Sequence, residues 1–378
     1  MAEEWEKAME RWLKANLIDA ATAARIRAFE SGEKQSQGLR WPVILALALG
    51  GLMLGAGVLL FVAAHWDKLS PTQRFTLVLF MVSAFHVAGA LTVERFENLA
   101  VTLHALGTVA LGAGIFLSGQ IFNLQEHWPG GLMLWALGAW IGWGMRRDWV
   151  QATLVALLTP AWLIGEWIVV TERLRGGYRI LLVGTLLLSF SYLTARTAAR
   201  DSLVRRALMW IGGLALIPST VMLAELAWER PWQVSNLPLP MTILGWTAAL
   251  GLPLLVALLA RGSAAGLNLL AALWVLVLGL LGQWAAEREG IRLLVYLWCA
   301  LGSCGLVAWG VTESRRERIN LGVAGFALTV LFFYFSSVMD KLGRAVSLIG
   351  LGALFLLGGW VLEKLRRQLV AMVRGRQV

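Results

Sequence analysis

The sequence predicts an all-α fold: a polytopic transmembrane helix bundle of about twelve spans with a short cytoplasmic helical hairpin at its N-terminus. Three observations predict it. Hydrophobic residues make up 58% of the 378 positions and charged residues only 15%, against about 25% charged in a soluble domain. Apolar stretches recur from Trp41 to Leu362 with short polar gaps between them. Lys and Arg are dense in alternate gaps, as the positive-inside rule requires of a multi-pass protein.

Residues 1–38 form the first region. The apolar positions Trp5, Met9, Trp12 and Leu13 share one helical face, and Asp19 is a candidate N-cap for a second helix over 20–29. Ser31 and Gly32 end that helix. The reading is an amphipathic hairpin able to pack on the bundle or bind a protein partner. Its polarity and the late first apolar stretch argue against a cleaved secretory signal.

Residues 39–363 form the bundle. The apolar segments run 42–64, 75–93, 99–121, 130–145, 150–170, 178–195, 203–225, 240–260, 267–284, 291–311, 319–337 and 344–362. Most approach the roughly 20 residues needed to cross the hydrocarbon. Segments 4 and 6 are short, which fits a tilted, re-entrant or interface-flanked helix. Residues 364–378 are a basic cytoplasmic tail.

Placing both termini inside puts 23 of the 33 Lys and Arg on the cytoplasmic side and 10 on the other. The net charge of +10 is therefore read as loop charge facing anionic lipid. Membrane lipids are the expected partners. Nucleic acid is not, because no basic face with interleaved aromatics lies outside the membrane.

The 20 tryptophans cluster near segment ends, where an interfacial belt is the ordinary explanation and stacking on a sugar or headgroup the functional one. Cys299 and Cys304 lie five residues apart in one segment, pointing apart on a helix, and read as packing residues. Pro160, Pro218 and Pro253 fall inside segments, and interrupted helices often line transport sites.

Two sets of residues carry candidate chemistry. His86 and His104 lie inside segments 2 and 3. Satisfied core histidines are the ordinary reading and a proton path the functional one, since intramembrane ionisable groups are costly. The second set gathers at the outer ends of segments 1, 3 and 5: His65, Trp66, Asp67, Ser118, Gln120, Asn123, Glu126, His127 and Glu166. Polar groups at the membrane boundary need partners. They make either a hydrogen-bonded plug, a site for a small polar solute or lipid headgroup, or a metal site from His65, Asp67, Glu126 and His127. No tight His-x-x-x-His or Cys-x-x-Cys pair supports the last, so no metal is expected. Phosphate-loop, nucleophile-elbow and His-Glu-x-x-His motifs are missing, and no cofactor or catalytic residue is assigned.

The N-terminal hairpin leads into a glycine-rich first segment ending Phe61-Val-Ala-Ala-His65-Trp66-Asp67. The run Gly119-Gln120-Ile-Phe-Asn123 is followed by Gly131-Leu-Met-Leu-Trp-Ala-Leu. On these motifs, residues 5–150 resemble a bacterial family of predicted membrane proteins, domain of unknown function 2157. His65 stands where Asn is as often expected. The resemblance implies a multi-pass protein of the bacterial inner membrane and supplies no activity. The leading functional reading is a transporter-like or lipid-handling protein with an outward polar site between segments 1, 3 and 5. The alternatives are an enzyme on a lipid-linked substrate, or a scaffold or envelope-stress component working through the hairpin.

Overall fold

A computed structural model describes residues 70–122, 127–174, 177–197, 201–229, 236–285 and 289–338, together with 17–26 and scattered positions nearer both termini. Segments 1 and 12 lie largely outside these residues. By contacts the chain divides into 1–74 and 75–378.

In the first unit, residues 20–26 are helical. Asp19 Oδ1 accepts from the Thr22 N–H at 3.0 Å, which is the N-cap the sequence predicts. Ser70 and Gln73 form a capping box: each side chain bonds the other's backbone N–H, with Pro71 at the first helical position.

Ten α-helices follow in the described residues, and each coincides with a predicted apolar segment. They are α1 (Pro71–Thr92), α2 (Glu97–Phe122), α3 (Trp128–Arg146), α4 (Trp149–Thr171), α5 (Gly177–Leu193), α6 (Leu203–Glu229), α7 (Leu239–Arg261), α8 (Gly266–Ala285), α9 (Glu289–Thr312) and α10 (Arg316–Phe333). Helices are the expected state, because bilayer hydrocarbon offers no partner for a free backbone N–H or C=O. Seven stretches are long and apolar enough to cross a membrane, one of them being the 44-residue run Leu239–Gly282 that holds α7 and α8. The outward faces are apolar: Leu214 is 74% exposed and Leu259 71%. The chain is a multi-pass helical membrane protein.

Segment 6 is short, as α5 of 17 residues, whereas segment 4 becomes α3 of 19 residues, longer than the 18 of α10. At 1.5 Å per residue α5 is only about 26 Å long, less than the roughly 30 Å hydrocarbon core. Yet α5 is the most enclosed helix. It packs against α4, α6, α7 and α8, and Leu182, Val183, Leu186, Phe190 and Leu193 centre the main core. Its Ser189, Ser191 and Thr194 hydroxyls donate to carbonyls four residues back, so they bring no unmet polarity inside. Where α6 crosses α5, a Cβ at Gly212 would lie 2.4 Å from the Ser189 carbonyl oxygen. Only glycine permits that approach.

The three prolines do not interrupt their helices: α4, α6 and α7 run continuously through Pro160, Pro218 and Pro253. Proline removes the bond to the carbonyl four residues back. For Pro160 that carbonyl belongs to Ala156, and the Tyr192 hydroxyl of α5 donates to it at 2.8 Å. Tryptophans also act inside the bundle. Trp274 of α8 and Trp298 of α9 each donate from the indole to the other's carbonyl, both at 3.0 Å.

Candidate functional site

The first polar cluster joins α1 to α4. His86 and His104 face each other with Nδ1 atoms 3.0 Å apart and ring centroids 5.3 Å apart. Glycines make the room. A Cβ on Gly89 would lie 2.8 Å from the His104 ring, and one on Gly107 would lie 2.7 Å from the His86 ring. Each imidazole therefore rests on a glycine of the opposite helix. Behind the pair, Gln151 Nε2 donates to the His104 carbonyl at 3.2 Å and to Thr108 Oγ1 at 2.9 Å. Trp135 of α3 donates to the Thr108 carbonyl. Asp148 caps α4 through the Gln151 N–H, which fixes where the glutamine side chain starts. Among the described residues, His104 Nε2 is buried without a hydrogen-bond partner.

Two imidazoles at this distance share one hydrogen bond: one Nδ1–H donates and the other Nδ1 accepts. One added proton makes that bond charge-assisted and stronger. A second sets two Nδ1–H groups face to face and breaks it.

The second cluster lies at the other end of α4. His127 Nε2 stands 2.6 Å from Glu166 Oε2, and the Trp162 indole donates to Glu166 Oε1 at 3.0 Å. Trp128 packs over Gly165. Two predicted site residues, His127 and Glu166, are thus brought together. Ser118 is turned back onto its own helix, donating to the Ile115 carbonyl at 2.7 Å. His65, Trp66, Asp67, Asn123 and Glu126 lie outside the described residues, as does the side chain of Gln120, whose backbone is in α2. Among the described residues no group of three or more His, Cys, Asp or Glu is placed to hold a metal.

A third cluster was not singled out from the sequence. Arg261, 5% exposed, and Arg318, fully buried, both bind Glu313, at 2.6 Å and 2.7 Å. The Trp309 ring lies 5.3 Å from each guanidinium, and its indole donates to Glu313. The arginines also cap the short helix α5. Arg261 donates to the Thr194 carbonyl at 2.7 Å, Arg205 to that of Ala195 at 2.7 Å and Arg318 to that of Arg196 at 3.1 Å. Thr194 directly follows the last residue of α5, and Ala195 and Arg196 continue the chain beyond it. Gly262, at φ 63°, turns the chain directly after Arg261. Burial works against ionisation of Glu313, but the bonds from Arg261 and Arg318 outweigh it and hold the carboxyl at about 2. Nearby, Arg206 and Arg196 hold Asp201 well below the usual carboxylate range. The gaps after α5, α7 and α9 therefore meet at one end of the bundle. The sequence signal was the spacing Trp309-x-x-x-Glu313-x-x-x-x-Arg318, read only as loop charge.

Residues 10–151 match the family model described as Predicted membrane protein (DUF2157). That stretch coincides with the motifs that carried the resemblance. It also holds the His86–His104 pair with Thr108, Trp135 and Gln151, so the whole first cluster lies in the matched stretch. The Arg261–Glu313–Arg318 cluster lies beyond it. No curated protein and no solved structure matches the chain.

Proposed function

We propose that this is a transporter-like protein of the bacterial inner membrane, with both termini cytoplasmic, that links passage of a small polar solute to a proton held by His86 and His104. The observation that carries the reading is the 3.0 Å contact between two intramembrane histidines. Ionisable groups at such depth are costly and tend to be functional. The unpartnered His104 Nε2 favours the tautomer in which His104 Nδ1–H donates to His86, because a bare acceptor costs less than a bare donor. The outward site is centred on His127 and Glu166. The count of 23 basic residues against 10 supports the orientation.

The test is proton flux into proteoliposomes holding a pH-sensitive dye, under an imposed potassium diffusion potential, with and without external amino acids and sugars. Wild type should exceed empty vesicles, and His104→Gln should fall to their level while remaining folded. Equal rates for wild type, variant and empty vesicles overturn the reading.

A further inference from the structure

The cleft between α6, α9 and α10 takes no part in these polar clusters and lies outside the DUF2157 stretch. Its cavity volume is about 90 Å³, and it opens on one side. Leu216, Thr220, Cys299, Leu306, Leu328 and Phe332 are among its walls. Phe190 and Trp274, stacked edge to face, line it from α5 and α8.

The helices hold it open for a local reason. A Cβ at Gly322 would lie 2.7 Å from the Ser303 carbonyl oxygen, so α9 and α10 close tightly at their Arg318 end. Helix α6 is drawn toward α5 at Gly212 and touches α10 only slightly. The lining extends from Leu306 to Val295 on α9 and from Leu321 to Phe332 on α10, away from the arginine end. Each run is about 16 Å and begins within about 10 Å of the arginine end at 1.5 Å per residue, so the cleft crosses the middle of the roughly 30 Å hydrocarbon.

The lining also selects chemistry. The hydroxyl of Thr220 donates to the Leu216 carbonyl, and that of Thr329 to the Gly325 carbonyl, both at 2.8 Å. Tyr296 is bonded to Ser336 at 2.7 Å. These polar atoms are turned onto protein partners, and the lining, which also includes Ser303, is mostly carbon. A polar solute would lose its hydration there without replacement.

We propose that this cleft binds one acyl chain of a membrane lipid. The site is independent of the proton reading, and either can fail without the other.

The test is native mass spectrometry of the full chain purified from vesicles of phosphatidylethanolamine and phosphatidylglycerol, after detergent exchange. One lipid per chain should remain on wild type and at least 80% of it should be lost in Thr220→Phe and in Leu328→Trp. A second measurement needs no cleft-filling change. In Cys304→Ala, Cys299 is the remaining thiol, and its alkylation by N-ethylmaleimide should slow at least fivefold when the same lipids are added back. Wild type retaining no lipid, variants retaining as much as wild type, or Cys299 reacting at one rate throughout overturns the proposal. So does a diazirine-bearing acyl probe that leaves the cleft unlabelled because residues 339–378 of the same chain occupy it.

Discussion

Arg261 and Glu313 stand 2.6 Å apart although 52 residues separate them. The contact pins the turn after α7 to the turn after α9, and Arg318 reaches the other oxygen of the same carboxylate. A single carboxylate thus serves two guanidinium groups that are almost wholly buried. Glu313→Gln should therefore cost more than a surface pair would, about 3–5 kcal/mol, because it leaves two buried cations uncompensated. Thermal unfolding in detergent, followed by tryptophan fluorescence, measures this. A change below about 1 kcal/mol would show that the cluster is decorative.

The same carboxylate sets a pH dependence. Its folded value of about 2 lies below the roughly 4.3 of a free glutamate. Its contribution is therefore complete above about pH 4.5 and is lost as the pH falls toward 2. Asp201, also held low, acts in the same direction. Wild type should lose melting temperature over that window more steeply than Glu313→Gln, and the two curves should converge at the acid end. Parallel curves would contradict the assignment.

Tyr192 and Pro160 should be coupled. Tyr192→Phe leaves the Ala156 carbonyl unsatisfied in the bundle, at a cost of about 1–2 kcal/mol. In a Pro160→Ala background the helix regains its own N–H for that carbonyl, so the cost of Tyr192→Phe should fall by at least half. A double-mutant cycle measures the difference, and strict additivity would rule the relationship out.

Gly107→Ala should disturb the histidine pair without touching either histidine, since its Cβ would meet the His86 ring at 2.7 Å. In histidine-labelled protein, the nitrogen resonances of His86 and His104 should lose the shift of a shared Nδ1 proton while those of His127 stay in place. Unchanged resonances in the variant would show that the glycine does not set the contact.

His127→Ala should behave oppositely to Glu313→Gln in stability. Its partner contact with Glu166 is half-exposed, and such pairs are worth about 0–1 kcal/mol. Melting should barely change, and any loss of flux would then report on the outward site and not on folding.

Ten apolar segments coincide with helices to within a few residues; 291–311, for instance, became Glu289–Thr312. The shortness of segment 6 was also legible. Its setting was not: α5 is central, and the carbonyls just after it accept from arginines of three other places. The two intramembrane histidines were visible 18 residues apart, but their contact depends on helix register set by Gly89 and Gly107. The arginine cluster was missed because each member looked like ordinary loop charge.

By itself the sequence determined the fold class, the ten described helices and the charge asymmetry. The bilayer imposes those through local rules: each span satisfies its own backbone, and hydrocarbon thickness sets its length. Only the tertiary structure decided which polar groups meet. Glu313 with Arg261, Tyr192 with Ala156 and His86 with His104 depend on how helices rotate and slide against one another. Packing between residues far apart in the chain determines that, and no local pattern encodes it.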